Sequence, residues 1–307
     1  MKICLFSSYS TSLVIDNYII FYLKELLRFH NQVIFITNER KVSVILLDKL
    51  GIKTIFVKNE GYDFGMWYKV LKTLDINTIT RLSLINDSCV LFSKLNNIFK
   101  KVKNSDFDYC GITKSIDFAE HIQSYFLVIK KPIIKHVYNY FMDNGIYEDL
   151  QTVILKYEIG LSQHLIKRGF KIGPLFNLSK SFKGNNTSVY LAKELIENGC
   201  PLIKKKVLLN SFKDDETLVL HKTKYEFDFD YIDLIKNKNP IICSFGFKKT
   251  TIEMIESNDF DWKYYINTYI DLRNAGILTE KAALEHYNKF GKKEGRKISE
   301  NQIIKKS

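Results

Sequence analysis

Thr54-Ile55-Phe56-Val57-Lys58-Asn59-Glu60-Gly61-Tyr62-Asp63-Phe64-Gly65-Met66-Trp67 passes from an apolar, β-branched segment through a turn containing Asn and Gly. The helix that follows is expected to begin near Trp67 and to run from about Gly65 to Leu74. Glycines in such a turn allow backbone N–H groups to approach an anionic ligand closely. A second apolar segment, Arg81-Leu82-Ser83-Leu84-Ile85, ends in Asn86-Asp87-Ser88. In an open α/β sheet, ligands bind at the carboxyl ends of the strands. Carboxylate and amide oxygens there suit a hard divalent cation held against a diphosphate. Asn, Asp, Ser and Gly are also the ordinary residues of turns and helix N-caps, so these two segments name a place in a fold before they name a reaction.

Outward from them the chain alternates strand and helix. Lys2 to Ser7, Gln32 to Thr37 and Thr54 to Val57 read as strands. Ile15, Ile19, Leu23, Leu26 and Leu27 recur at helical spacing between the first two, and Ser43 to Leu50 forms a helix stopped by Gly51. This βαβαβ rhythm predicts a parallel sheet with right-handed crossovers. Ser7 and Asn38, where the first two strands end, join the candidate donor-binding set. Further along, Leu95 to Val102 and Asp149 to Arg168 read as helices, the second stopped by Gly169, and Tyr109 to Thr113 and Ser124 to Ile129 as strands. Asn177 to Val189 lacks periodicity and reads as a loop over one face.

At 307 residues and 46% hydrophobic content the chain is long and apolar enough for one sizeable α/β domain with a small module beside it. A net charge of +12 points to an anionic partner, whether a nucleotide diphosphate or a membrane surface carrying a lipid-linked substrate. No nucleic-acid-binding motif accompanies that charge, and nucleic acid is excluded as a partner. Five scattered cysteines without a CxxC pair read as buried thiols of a reducing compartment. No apolar run approaches the roughly twenty residues of a membrane span. A cytoplasmic protein, peripheral to a membrane at most, is expected.

Five short motifs occur in order: Asn59-Glu60-Gly61-Tyr62-Asp63-Phe64-Gly65 with Trp67, Leu84-Ile85-Asn86-Asp87-Ser88-Cys89, Gly111-Ile112-Thr113, His121-Ile122-Gln123-Ser124-Tyr125-Phe126 and Tyr157-Glu158-Ile159-Gly160-Leu161-Ser162. Together they resemble the rhamnan synthesis protein F family over roughly the first 240 residues. The resemblance implies an A-type glycosyltransferase, with a Rossmann-like nucleotide-sugar-binding domain, acting in assembly of rhamnose-containing and other surface polysaccharides. It implies donor contacts at Asn59, Gly61, Asp63, Gly65, Asn86, Asp87 and Ser88. His121 and Gln123 are placed facing donor or acceptor; a loop histidine is also commonly structural. Tyr157 to Gly169 is similar to the helix of family 2 glycosyltransferases in which the second residue of an acidic pair takes the acceptor proton. Tyr157 stands where the first acid would be, which leaves Glu158 as the general base, against the alternative of a solvated helix residue. A-type enzymes usually carry Asp-x-Asp for Mg²⁺ or Mn²⁺; Asn86-Asp87-Ser88 offers one carboxylate, so Asp87 is the metal ligand the resemblance implies. His221, after Leu218-Val219-Leu220, is either a second metal ligand or a strand-end histidine. Lys204, Lys205 and Lys206 form a basic run able to neutralise a diphosphate, or a solvated face.

Beyond about Asp259 the chain turns rich in Tyr, Lys and Glu and resembles a small helical module appended to bacterial surface-polysaccharide enzymes. Its aromatic residues suit stacking on sugars or a partner, and equally a helix-pair core. The expected division is 1–247 for the transferase domain and 258–301 for the module, with a linker near 248–257. The reading is an inverting transferase that moves a sugar, such as rhamnose or another deoxyhexose, from a nucleotide donor to a glycan or lipid-linked glycan. Its rivals are an inactive sugar-nucleotide- or glycan-binding scaffold of a polysaccharide-assembly complex, and a nucleotidyltransferase with the same α/β layout.

Overall fold

A computed structural model of the chain describes residues 1–10, 14–38, 44–178 and 187–210, and in the C-terminal part 260–269, 272, 277, 279–291, 294 and 296–298. Two compact units divide it, Met1–Gly246 and Phe247–Ser307.

The first unit is built on the alternation expected from its start. Strand β1 (Lys2–Ser8), helix α1 (Asn17–Leu27), β2 (Gln32–Thr37), α2 (Ile45–Lys49) and β3 (Lys53–Phe56) lay three parallel strands in the order β1, β2, β3. Helix α3 (Tyr62–Leu71) then carries the chain back, and β4 (Arg81–Asn86) pairs parallel to β1 on its free side. Growth of the sheet reverses at that point. Among the described residues the sheet has seven strands in the order β10-β6-β9-β4-β1-β2-β3.

The remaining described strands and α-helices of this unit are β5 (Cys89–Leu91), α4 (Asn96–Asn104), β6 (Tyr109–Gly111), β7 (Lys114–Ser115), β8 (His121–Ile122), β9 (Phe126–Lys130) and α5 (Ile134–Asn144). They continue through α6 (Leu150–Val153), α7 (Gly160–Lys167), β10 (Ile172–Pro174), α8 (Thr187–Tyr190), α9 (Ala192–Glu197), β11 (Leu202–Lys204) and α10 (Lys205–Asn210). The sheet is not wholly parallel: β9 runs antiparallel to both β4 and β6. A separate ladder pairs β11 antiparallel to β5, with Lys204 opposite Cys89.

Period-two alternation sends strand residues into two cores. Ile3, Leu5, Ile34, Ile36, Leu82, Leu84, Leu127 and Ile129 meet α3, α5 and the helical run of α6 and α7 on one face. On the other face Cys4, Phe6, Val33, Phe35, Phe126 and Val128 meet α1, α4 and α9. The four described cysteines, Cys4, Cys89, Cys110 and Cys200, are buried and unpaired. Burial pushes the thiols of Cys110 and Cys200 up to about 12, so they act as apolar packing.

Boundaries differ from expectation for local reasons. Helix α3 starts at Tyr62, well before Trp67, because Gly61 takes a left-handed conformation (φ 72°) and its carbonyl accepts from Gly65 N–H at 2.8 Å. Trp67 is instead fully buried inside the helix, edge-on to Phe64. The expected loop over Asn177 to Val189 ends earlier than read, since α8 begins at Thr187; residues 179–186 lie outside the described residues. Asp149 caps the long helix expected after it, accepting from Thr152 N–H at 2.7 Å, and Gly169 stops it at φ 78°. Between α6 and α7 the turn Ile154–Ile159 is a π-helix.

In the second unit α11 (Trp262–Thr268) and α12 (Glu280–His286), the latter running into a π-helical turn Tyr287–Gly291, enclose a core of Phe260, Tyr265, Leu272, Ala283 and Tyr287. Tyr265 and Tyr287 are spent on that core, edge to face with centroids 5.6 Å apart. The expected linker at 248–257 lies outside the described residues. Among the described residues no helix is long and apolar enough to cross a membrane.

Candidate functional site

Strand order reverses between β1 and β4, and the carboxyl ends at such a reversal are where doubly wound sheets form a crevice that binds ligands. Three elements converge there. The end of β1 supplies Ser7 and Ser8, the first turn of α3 supplies Asp63, and the end of β4 supplies Asn86 with Asp87 and Ser88 behind it. Ser7 donates to Asp63 Oδ1 at 2.9 Å and Asn86 Nδ2 to Asp63 Oδ2 at 2.7 Å. Asn86 Oδ1 in turn accepts from the backbone and hydroxyl of Ser88 at 3.1 and 2.6 Å. Asp87 Oδ2 accepts from Ser8 at 3.0 Å and pairs with Lys205 Nζ at 2.9 Å.

Burial and the neighbouring charge of Asp87 push the Asp63 carboxyl up to about 6, in spite of its two hydrogen bonds. A carboxyl whose midpoint is higher in the folded than in the unfolded chain binds a proton that the unfolded chain does not. Its contribution therefore weakens folding as pH rises from about 4 to about 6. Carbon-13 titration of the Asp63 carboxyl is expected to show a midpoint near 6, and a midpoint at or below 4 would contradict this environment.

A second cluster adjoins the first. His121, Gln123, Ser124, Tyr125, Glu158 and Lys204 line a cavity of about 280 Å³. Ser124 donates to Glu158 Oε2 at 2.7 Å, and His121 Nε2 stands 3.6 Å from Glu158 Oε1. The other ring nitrogen of His121 lies 2.8 Å from the Ala119 carbonyl. Both nitrogens face oxygen acceptors, which suits the protonated ring. Burial opposes charge on His121, but Glu158 and the Ala119 carbonyl outweigh it and raise the imidazole above its ordinary value. Burial likewise opposes charge on Glu158, and the contacts from His121 and Ser124 outweigh it, holding the carboxyl below the usual glutamate range. Glu158 is thus an ionised carboxylate facing a cavity. It sits in the π-helical turn, an irregularity frequent at functional sites. Tyr157, in the position of the absent first acid, points the other way: it is buried, stacked on Phe64 with centroids 5.0 Å apart, and bonded to the Gly145 carbonyl.

The other sequence-predicted residues divide. Gln123 lines the cavity but its Oε1 is occupied by Thr113 Oγ1 at 2.7 Å. Asn38 clamps the segment after β1, bonding Ser10 N and O at 2.8 and 2.9 Å. Asn59 is exposed ahead of α3. Gly61 and Gly65 are closely packed, against Ile146 and against the Glu60 carbonyl respectively. His221 lies outside the described residues. Lys204 and Lys205 enter the site although their run reads equally as a solvated face; Ser8, Tyr18 and Ser124 also belong to it.

Among the described residues the fit to a divalent cation is poor. The one carboxylate assigned to it, Asp87, already holds the Lys205 ammonium, and both oxygens of Asp63 are engaged by Ser7 and Asn86. Among the described residues no three His, Cys, Asp or Glu side chains converge as a metal site.

A family model described as rhamnan synthesis protein F matches residues 33–269. No curated protein sequence matches the chain. Similar solved structures include a CMP:2-keto-3-deoxy-manno-octonic acid synthetase complexed with CTP (11% identity, 64% of this chain and 97% of that one, TM-score 0.39). A 4-diphosphocytidyl-2C-methyl-D-erythritol synthase from Anaerococcus prevotii is 12% identical over 65% of this chain and 97% of that one, with a TM-score of 0.37. The glycosyltransferase GlyE of Streptococcus pneumoniae is 10% identical over 78% of this chain and 63% of that one, with a TM-score of 0.39.

Proposed function

Because the chain belongs to the rhamnan synthesis protein F family, we propose that it transfers a sugar, rhamnose or another deoxyhexose, from a nucleotide donor to a hydroxyl of a glycan or lipid-linked glycan, with inversion. The observation that carries this reading is the ionised Glu158 carboxylate facing a cavity whose wall includes Lys204, itself bonded to Ser88 at the strand-end crevice. A base and an anion-receiving end therefore adjoin one another. An acceptor oxygen attacks the anomeric carbon as the bond from that carbon to the phosphate oxygen breaks. The electron pair of the broken bond leaves on the nucleoside diphosphate, and the hydroxyl proton passes to Glu158. His121 and Ser124 position that carboxylate. The net charge of +12 suits an anionic donor and an acceptor presented at a membrane surface.

Melting curves with UDP-, GDP-, dTDP- and CMP-linked sugars test the donor. A ligand at a hundredfold excess over its Kd adds about 2.7 kcal/mol, or about 5–10 °C in a domain of this size. One nucleotide class is expected to give that rise, and sugar transfer to follow with an acceptor glycan. Binding with neither hydrolysis nor transfer would identify a scaffold, and pyrophosphate release from a nucleoside triphosphate would identify a nucleotidyltransferase.

A further inference from the structure

We infer that Lys204 and Lys205 supply the positive charge that receives the donor diphosphate, in the position where a divalent cation would otherwise stand. The inference rests on the donor-transfer reading above and names how that site holds its leaving group. Both lysines are delivered by secondary structure. The β5–β11 ladder sets Lys204 opposite Cys89, and Lys205 N–H donates to the Ser88 carbonyl at 2.9 Å, which pins α10 to the end of β4. Each side chain then turns into the crevice. Lys205 Nζ meets Asp87 Oδ2 at 2.9 Å and lies 4.8 Å from the centre of the Tyr18 ring. Lys204 Nζ meets Ser88 Oγ at 2.9 Å and lies 4.1 Å from the centre of the Tyr125 ring.

The charges around them are unequal. Lys205 is matched by Asp87, whereas Lys204 has no carboxylate at ion-pair distance among the described residues. Glu158 is matched by His121. Among the described residues Lys204 is held at contact distance only by a hydroxyl and a ring face, with the Asp63 and Glu158 carboxylates acting on it from farther off, and both contacts leave an anion able to replace or join them. A cation site needs several hard oxygen ligands, and three of the four carboxylate oxygens of Asp63 and Asp87 are already engaged, Asp63 Oδ1 by Ser7, its Oδ2 by Asn86, and Asp87 Oδ2 by Ser8 and Lys205. When the anomeric C–O bond breaks, its electron pair passes to the phosphate oxygen and the diphosphate gains negative charge. Fixed ammonium groups aimed there stabilise that charge without reorganisation.

Calorimetric titration with UDP, GDP, dTDP and CDP, each in EDTA and in Mn²⁺, tests this. The nucleoside diphosphate that binds is expected to do so in EDTA within about threefold of its affinity in Mn²⁺. Lys204→Met and Lys205→Met are each expected to weaken it about tenfold or more, Lys205→Arg to restore most of the loss, and Lys206→Met, on an exposed residue of the same run, to leave it unchanged. Binding seen only with Mn²⁺ or Mg²⁺, in the wild-type chain and so independent of any variant's folding, overturns the lysine assignment while the transfer reading stands. Lysine variants that melt normally and bind like wild type overturn it as well. If none of the four diphosphates binds under either condition, the transfer reading itself falls and this inference with it.

Discussion

Glu158→Gln is expected to lower kcat for sugar transfer by about 10²–10⁴-fold while changing donor affinity by no more than a few-fold. The substitution keeps the shape of the side chain and its contact with Ser124 Oγ, now 2.7 Å from the carboxylate, but removes the lone pair that takes the proton. The pH profile separates this role from a packing role. Contacts with His121 and Ser124 hold Glu158 below its ordinary value of 4.5, so the acid limb of wild-type kcat that belongs to Glu158 should lie below that pH, separate from any step at Asp63 near 6. Ser124→Ala removes one of those contacts and is expected to move the acid limb upward. A depressed carboxyl is ionised at every pH above its folded midpoint, and also stabilises the fold there relative to acid. Full turnover by Glu158→Gln with a natural acceptor would remove Glu158 from the mechanism.

How much of this was legible before the structure depends on how far apart the partners lie along the chain. The strand-end location of Asn86 and Asp87, the βαβαβ start and the helix bearing Glu158 all rest on local periodicity and punctuation, and these appear as read. The motifs are also tied to one another by contacts in the fold. Tyr157 stacks on Phe64, Thr113 holds Gln123 and Tyr125, and Ser162 accepts from Ile122 N–H at 3.2 Å while donating to the Glu158 carbonyl at the same distance. What resisted reading depends on pairings that leave no local signature. The β5–β11 ladder spans three residues on each strand, too short for alternation to register, yet it helps bring Lys204 beside Ser88 across 116 positions. Antiparallel β9 escapes for a related reason: buried on both faces, Phe126 to Ile129 is an unbroken apolar run that reads alike in either direction.

Gly65→Ala should cost about 2–4 kcal/mol of stability, a larger effect than at the other described glycines of the first unit. A Cβ at Gly65 would stand 1.7 Å from the Glu60 carbonyl oxygen and 2.7 Å from its carbon, both backbone atoms that no rotamer can move aside. Glu60 is itself anchored by Lys69 and Lys58, at 2.7 and 2.5 Å. To make room, the turn must shift against α3, and Asp63, two residues before Gly65, would lose its register with Ser7 and Asn86. Gly51→Ala supplies the comparison. Gly51 has nearly the same left-handed φ (71°) as Gly61, but a Cβ added there would meet no atom within 4 Å, so its cost is the conformational penalty alone, about 1–2 kcal/mol. Chemical denaturation of both variants, read with donor binding, distinguishes two causes for the glycines of the Asn59 to Gly65 turn. If they serve only to let an anion approach the backbone, Gly65→Ala will lose binding with its denaturation midpoint intact. The contacts of Gly65 point the other way: the turn is closed by its own packing first, and whatever it does for a nucleotide it does by holding Asp63 at the mouth of the crevice.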